Sequence, residues 1–440
     1  MSAASRARKV DSRLEIVVLE KGRDISYGAC GLPYYISGQV KNEDDLVTYT
    51  PEFFREKRNI EIRLEHEAVE IDPGRKQVHA LHRGSQPVNI HYDKLVLATG
   101  GAPAFPEGMA PDNLSNVFTC NNLVDAIRLR EFLEQSRPRN AVVVGASYIG
   151  LECAEALAAR GLGVSIVERS RGLLGGIETE LSACVLKRLS ESGVSVHMDS
   201  TATGLTPGPS GRAVAVQFGV GDSLPADVIL LATGIRPRTG LAEAAGICLG
   251  ATGAIAVDDR MQTSVNSIYA AGDCAEAMHL VSGKPAYLPL GTTANKQGRV
   301  AGENAAGGNA RFEGIVGTLA TKVFGLEIAR TGLSTEQAHK AGFAAETAVV
   351  ESHSKAKYLG GGPLLAALIW DVASGRMLGF QMVGEEGVAK RIDAAAVALH
   401  ARMRVEDLLH LDLSYAPPFA TVWEPLLIAA NEVRKKTRRR

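Results

Sequence analysis

The chain has 440 residues, of which 45% are apolar and 22% charged, with a formal net charge of −1. That length exceeds a single hydrophobic core and predicts two or three domains, while the near-neutral balance excludes the basic footprint of a nucleic-acid binder. Six scattered cysteines (30, 120, 153, 184, 248 and 274) show no CxxC pair and no metal-ligand spacing, and no apolar run is long enough to span a membrane; this excludes a zinc site and a secreted disulfide framework and points to a reducing, cytoplasmic setting.

Taken in chain order, a helical stretch from Met1 to Arg8 precedes the apolar strand Leu14–Leu19, which ends in Glu20. A strand that terminates in an acid is how a nucleotide-binding unit presents a carboxylate to a ribose hydroxyl. Ten residues on comes Cys30, within Ser26-Tyr-Gly-Ala-Cys30-Gly-Leu-Pro33-Tyr-Tyr35. No second cysteine follows within two helical turns, so the pattern reads as one-thiol redox chemistry; an inert buried cysteine is the competing reading, disfavoured in a Gly-rich loop. Residues 60–93 alternate as a small β-meander would.

The clearest unit begins at Val142-Val-Val144 and continues through Gly145-Ala-Ser147-Tyr-Ile-Gly150, a helix over 151–160, and the strand Val164–Val167 that ends in Glu168. Strand, glycine turn, helix, strand and acid in that order form a dinucleotide-binding unit, with the pyrophosphate at the helix N-terminus. Ser147 stands where the glycine of closest backbone approach is expected. The stretch from Met1 to Glu20 repeats the second half of this unit (151–168). The repeat predicts that the N-terminal unit's own first strand and glycine turn lie outside the chain as given.

Two echoes, Leu97-Ala-Thr99-Gly100 and Leu231-Ala-Thr233-Gly234, each close an apolar strand. The run Thr263–Asp273 predicts a short buried strand delivering Gly272-Asp273, an acid able to accept bonds from a polyol such as ribityl. Near Gly291 a long small-residue helix begins, containing Thr293, Ala294 and Asn295, whose N-terminal dipole favours negative charge. After about residue 315 the pattern changes to a hairpin (364–371 and 377–383), helices over 386–402 and 405–411, and the run Leu413-Ser-Tyr415-Ala-Pro-Pro-Phe419. This part reads as a separate α+β domain with an apolar sheet face suited to self-association. The six basic residues in Arg434–Arg440 read as a solvated, disordered tail.

With these motifs in fixed order, the whole chain resembles the pyridine nucleotide–disulfide oxidoreductase superfamily, in its single-cysteine branch of CoA-disulfide reductases, NADH-dependent persulfide reductases and NADH oxidases or peroxidases. The resemblance implies an α/β protein with two Rossmann-like nucleotide-binding domains: FAD-binding, 1–105 and 236–314, and NAD(P)-binding, 106–235. A C-terminal α+β dimerisation domain, 315–440, completes it. By the same resemblance Glu20, Thr99, Gly100, Gly272 and Asp273 contact FAD, and Gly145, Ser147, Gly150 and Glu168 contact the nicotinamide cofactor. Lys21, Tyr148, Ile149, Gly234, Thr293 and Ala294 complete the cofactor set. Cys30 is then the redox nucleophile, and Tyr358 and Tyr415 reach the partner subunit's active site of a homodimer, with interface packing the alternative role for each tyrosine. The first helix of CoA-binding members places Ser2, Arg6 and Lys9 on coenzyme A, with Ser26, Arg58 and Asn295 as further substrate contacts.

The function so implied is FAD-dependent reduction of CoA disulfide or a persulfide through Cys30, whose pKa a nearby flavin and helix start should depress. Glu168 favours NADH over NADPH because it repels a 2′-phosphate. Glu152, one turn into the helix, reads equally as a neighbour of the nicotinamide or as a solvated helix charge. The alternatives are an NADH oxidase or peroxidase cycling through a sulfenic acid, and a flavin-free NAD-binding redox protein.

Overall fold

The structure is a computed structural model that describes residues 1–111 and 114–438. The first helix, Ser2–Val10, carries Arg8 and Lys9 in its last turn, where they complement the helix dipole. It packs along the long helix Gly291–Ala305, and the small residues of that helix are the reason it can. A Cβ at position 302 would lie 2.1 Å from the Ala3 carbonyl oxygen, so only glycine permits this approach.

In the first nucleotide unit, Val17–Leu19 pairs in parallel with Glu61–Arg63, and Leu95–Leu97 pairs in parallel with Ile268–Ala270. The expected meander is present as the antiparallel strands His66–Asp72, Gln77–His82 and Gln86–His91. The second unit holds a parallel five-stranded sheet with Asn140–Val144 at its centre, flanked by Gly163–Val167 then Ser195–His197 on one side and Val228–Leu231 then Val117–Phe118 on the other. Its middle strands are almost wholly buried, as a parallel sheet covered on both faces requires. Two crossover segments join the units: Gly101–Pro103 pairs antiparallel with Ile235–Pro237. Each echo turn donates its threonine hydroxyl across this crossover, Thr99 to the Arg238 carbonyl and Thr233 to the Ala104 carbonyl.

The C-terminal part is a five-stranded antiparallel sheet in the order 319–323, 326–332, 377–384, 363–371, 345–353. The predicted hairpin appears as Pro363–Asp371 and Met377–Gly384. Two expectations change here. Every residue of Met377–Gly384 and most of Pro363–Asp371 is buried within the chain itself, so these two strands do not supply the open apolar face expected for self-association. Most exposed apolar residues of this part sit at turns and loops (Tyr358, Leu359, Val372, Tyr415, Phe419, Val422 and Trp423), with Val397 on the helix Val388–His400. The basic tail is the end of a helix, Pro425–Arg438, anchored by buried Leu426, Ala429, Ala430 and Val433; residues 439–440 lie outside the described chain. Apolar spacing of three and four residues beneath the charges outweighs their repulsion.

Candidate active site

Cys30 is set by local chain geometry. The Ser26 carbonyl accepts from the Thr48 amide at 2.9 Å and the Gly28 amide donates to the Leu46 carbonyl at 2.8 Å, which pins the approach to the thiol. Cys30 then occupies a single 3-10 turn, Ala29–Gly31, ahead of the short helix Leu32–Ser37 with Pro33 in its first turn. That helix packs on Tyr148–Ala159, the helix of the second nucleotide unit, so the thiol loop of one unit lies against the cofactor helix of the other. The residue is exposed, yet its sulfur is partly sheltered; that shelter and the Glu152 carboxylate both push the thiol pKa up. The protein's own groups thus act against the expected depression, which also counted a bound flavin. No cation contributes at Cys30, and a 3-10 turn followed by a six-residue helix supplies too little dipole to offset a facing carboxylate.

Glu152 is therefore a neighbour of the thiol and not a solvated helix charge. Burial raises its own carboxyl, which accepts a 2.5 Å hydrogen bond from the Thr321 hydroxyl. One turn on, Glu155 accepts from the Phe324 amide at 2.8 Å. These two bonds latch the cofactor helix onto the strand Leu319–Val323 of the C-terminal domain.

The start of the cofactor helix explains its own sequence. Ser147 is the N-cap: its Oγ accepts from the Gly150 amide at 3.3 Å and donates to the Ala232 carbonyl at 3.1 Å. Gly145 has φ +102, and a Cβ at Gly150 would fall 2.0 Å from the Gly145 carbonyl oxygen. Glu168 accepts from the Ala146 amide at 2.6 Å and the Ser170 amide at 2.8 Å, which holds the strand-end carboxylate beside the glycine turn. Tyr148 and Ile149 are half-buried against the core, and desolvation pushes the Tyr148 hydroxyl up to about 12.

The residues read as a flavin set converge on neighbouring strand ends. Thr99 and Gly100 follow one strand of the parallel pair, Gly272 and Asp273 the other. Cys274 ties them together through the Leu97 and Ala271 carbonyls. The Gly272 amide donates to buried Gln297, and Ala294 lies 3.5 Å from where a Gly272 Cβ would stand, with Thr293 buried beside it on the same helix. Burial alone raises the Asp273 carboxyl, and among the described residues no donor serves it. A half-buried carboxylate left without a protein partner at a strand end fits the hydroxyls of a polyol chain, and so fits FAD. Glu20 accepts from the Gly22 amide at 2.6 Å, and Lys21 pairs with Glu67 at 2.7 Å. Gln297 and Thr321 escaped the sequence reading because each acts on a residue remote in sequence, leaving no local pattern.

Of the proposed substrate contacts, Ser2 accepts from Asn295 at 2.9 Å, while Arg6 is held by Glu303 at 2.5 Å. Lys9 is exposed, and the Arg58 guanidinium lies 5.7 Å from the Phe53 ring centroid. Tyr358 and Tyr415 stand on C-terminal loops, 78% and 48% exposed, and among the described residues neither hydrogen-bonds to Cys30. No group of His, Cys, Asp or Glu among the described residues could hold a metal ion, and no helix is long and apolar enough to cross a membrane.

Comparison with known proteins bears on this arrangement. Residues 1–298 match the family described as pyridine nucleotide-disulphide oxidoreductase, and residues 318–426 match the dimerisation domain of the same family. The chain is 36% identical over 437 residues to the NAD(P)H sulfur oxidoreductase (CoA-dependent) of Pyrococcus furiosus, covering 99% of this chain and 96% of that protein. It is 29% identical over 422 residues to the coenzyme A disulfide reductase of Staphylococcus haemolyticus, covering 95% and 93% respectively. The solved NAD-dependent persulfide reductase of A. fulgidus superposes with a TM-score of 0.95 at 38% identity, covering 99% of this chain and 81% of that one.

Proposed function

This chain belongs to the pyridine nucleotide-disulphide oxidoreductase family, and on that premise we propose that it uses NADH to reduce a coenzyme A disulfide or persulfide through Cys30 as its only redox cysteine. The observation that carries the reading is the thiol's place: an exposed Cys30 in the loop after Glu20, packed against the cofactor helix of the other nucleotide unit and in the field of Glu152. Names of the relatives support the substrate class: a CoA-dependent sulfur oxidoreductase, a CoA disulfide reductase and a persulfide reductase.

In this reading residues 1–105 and 236–314 bind FAD, 106–235 bind the nicotinamide cofactor, and 315–440 pair with a second copy. Glu20, Thr99, Gly100, Gly272, Asp273 and Thr293 would hold FAD, which when bound supplies a two-electron relay between nicotinamide and sulfur. The glycine turn 145–150 seats a pyrophosphate, and the fixed Glu168 carboxylate selects a 2′-hydroxyl over a 2′-phosphate, hence NADH. Cys30 attacks one sulfur of the substrate, forming a mixed disulfide and releasing the other sulfur as a thiol or, from a persulfide, as sulfide. Two electrons and two protons per cycle balance the conversion of RSSR to two RSH. Glu152, a sheltered carboxyl with a raised pKa beside the thiol, is placed to hold a proton as Cys30 enters and leaves the bond. Its test compares NADH-driven turnover of CoA disulfide, CoA persulfide, oxygen and peroxide. Sulfur substrates should dominate; rates as high with oxygen or peroxide alone would move the assignment to an oxidase or peroxidase. The six free cysteines support a reducing, cytoplasmic setting.

A further inference from the structure

Two loops of the C-terminal domain carry the tyrosines, and one largely sheltered cation bonds to both. Arg391, in the helix Val388–His400, is only 12% exposed in its side chain. Its Nη2 donates to the Ser354 carbonyl at 2.6 Å and to the Phe419 carbonyl at 2.9 Å, and its Nη1 donates to the Gly387 carbonyl at 2.9 Å. Its Nε lies 2.8 Å from Oε1 of Glu424, a carboxylate 15% exposed. Ser354 opens the loop that bears Tyr358, and Phe419 and Glu424 flank the exposed end of the loop that bears Tyr415. The loops also bond directly, Ala356 amide to Pro417 carbonyl at 3.2 Å. Around this core, the Ser354 hydroxyl donates to Glu386 at 2.6 Å and accepts from the Gly362 amide at 3.0 Å. Gly387 is shaped to the cation: at φ +74, a Cβ there would sit 2.1 Å from Arg391 Nη1.

An ion pair this far sheltered from solvent is costly to desolvate and contributes little stability on its own, so its presence beneath two solvent-directed loops calls for a reason other than folding energy. Arg391 serves both loop carbonyls from Nη2 while Nη1 bonds the Gly387 carbonyl and Nε faces Glu424, four partners spread over three nitrogens that the single nitrogen of a lysine, with three donors, cannot all reach. We infer that Arg391, with Glu424, is a positioning residue that joins the two tyrosine loops into one rigid unit presented to the partner subunit's Cys30. The inference rests on the reading that Tyr358 and Tyr415 act across the dimer.

Its test uses the flavin-loaded dimer with Arg391→Lys, which keeps a charge for Glu424 but loses the fork, and Glu424→Gln as a second variant. Each should lower kcat for CoA disulfide by about tenfold or more, since ångström-scale misplacement costs up to about a hundredfold. NADH-to-dye turnover and dimer mass should stay unchanged. Heterodimers of Arg391→Lys with Cys30→Ser should recover wild-type turnover per intact Cys30, because that thiol then faces intact loops. Heterodimers as slow as the Arg391→Lys homodimer, full turnover in both single variants, or loss of the dimer itself would each overturn the inference. Cys30→Ser homodimers report separately on the functional reading: sulfur reduction surviving in them would sink that reading, whatever Arg391 does.

Discussion

Substituting Gly150 by alanine tests the cofactor turn most sharply. An ideal Cβ at Gly150 would lie 2.0 Å from the Gly145 carbonyl oxygen and 3.1 Å from its carbonyl carbon, against an ordinary contact of 3.4 Å. Backbone must therefore open by roughly 3.4 − 2.0, about 1.4 Å, because neither partner is a flexible side chain. Overpacking of this kind costs typically about 1–3 kcal/mol, and the rigid neighbour places it in the upper half of that range. The same displacement moves the helix N-terminus away from the pyrophosphate it should seat, for which about a hundredfold loss in kcat/KM is the expected scale. Steady-state kinetics with NADH and a dye acceptor read the second effect independently of Cys30; thermal unfolding reads the first. Gly240→Ala is the control, since nothing lies within 4 Å of its Cβ position and it opens the helix Gly240–Ala244. An unchanged NADH KM and melting temperature in Gly150→Ala would refute the claim that this turn seats the cofactor helix.

Replacing Glu152 by glutamine removes the charge that helps hold the Cys30 thiol up, so the thiolate should appear at lower pH; the pH dependence of alkylation at Cys30 checks this, and a midpoint moved to higher pH would contradict it. Glu168→Gln should raise the KM for NADH and narrow its advantage over NADPH, as the ratio of the two kcat/KM values would show. Phe380 is fully buried in the C-terminal core, and its truncation to alanine should cost about 3–5 kcal/mol, measured by denaturant unfolding of that domain.

Local chemistry made much of this architecture legible. The glycine spacing from Gly145 to Gly150 and the acids at 20 and 168 mark strand ends because tight turns and ribose carboxylates impose residue types at fixed offsets. The meander and the hairpin near Ala373-Ser-Gly375 carry period-two alternation and turn residues of their own. What escaped is long-range or masked. Thr321 meets Glu152 across 169 positions, and Arg391 binds loops on either side of its own helix, so neither leaves a neighbouring signature. The final helix was hidden because a run of basic residues reads as tail while its anchoring face is only five small or aliphatic side chains, Pro425, Leu426, Ala429, Ala430 and Val433. The direction of the Cys30 shift depends on which charge faces the sulfur, and only the packing of the thiol loop on the cofactor helix reveals that charge as Glu152.

The most direct test of the central claim is to incubate the protein, its cysteines first reduced and the reductant removed, with CoA disulfide in the absence of NADH and map the adduct by mass spectrometry. One CoA per chain should appear on Cys30, and NADH should discharge it. Adducts on the other exposed cysteines, Cys184 or Cys248, with Cys30 unmodified, would contradict the claim that Cys30 is the redox nucleophile.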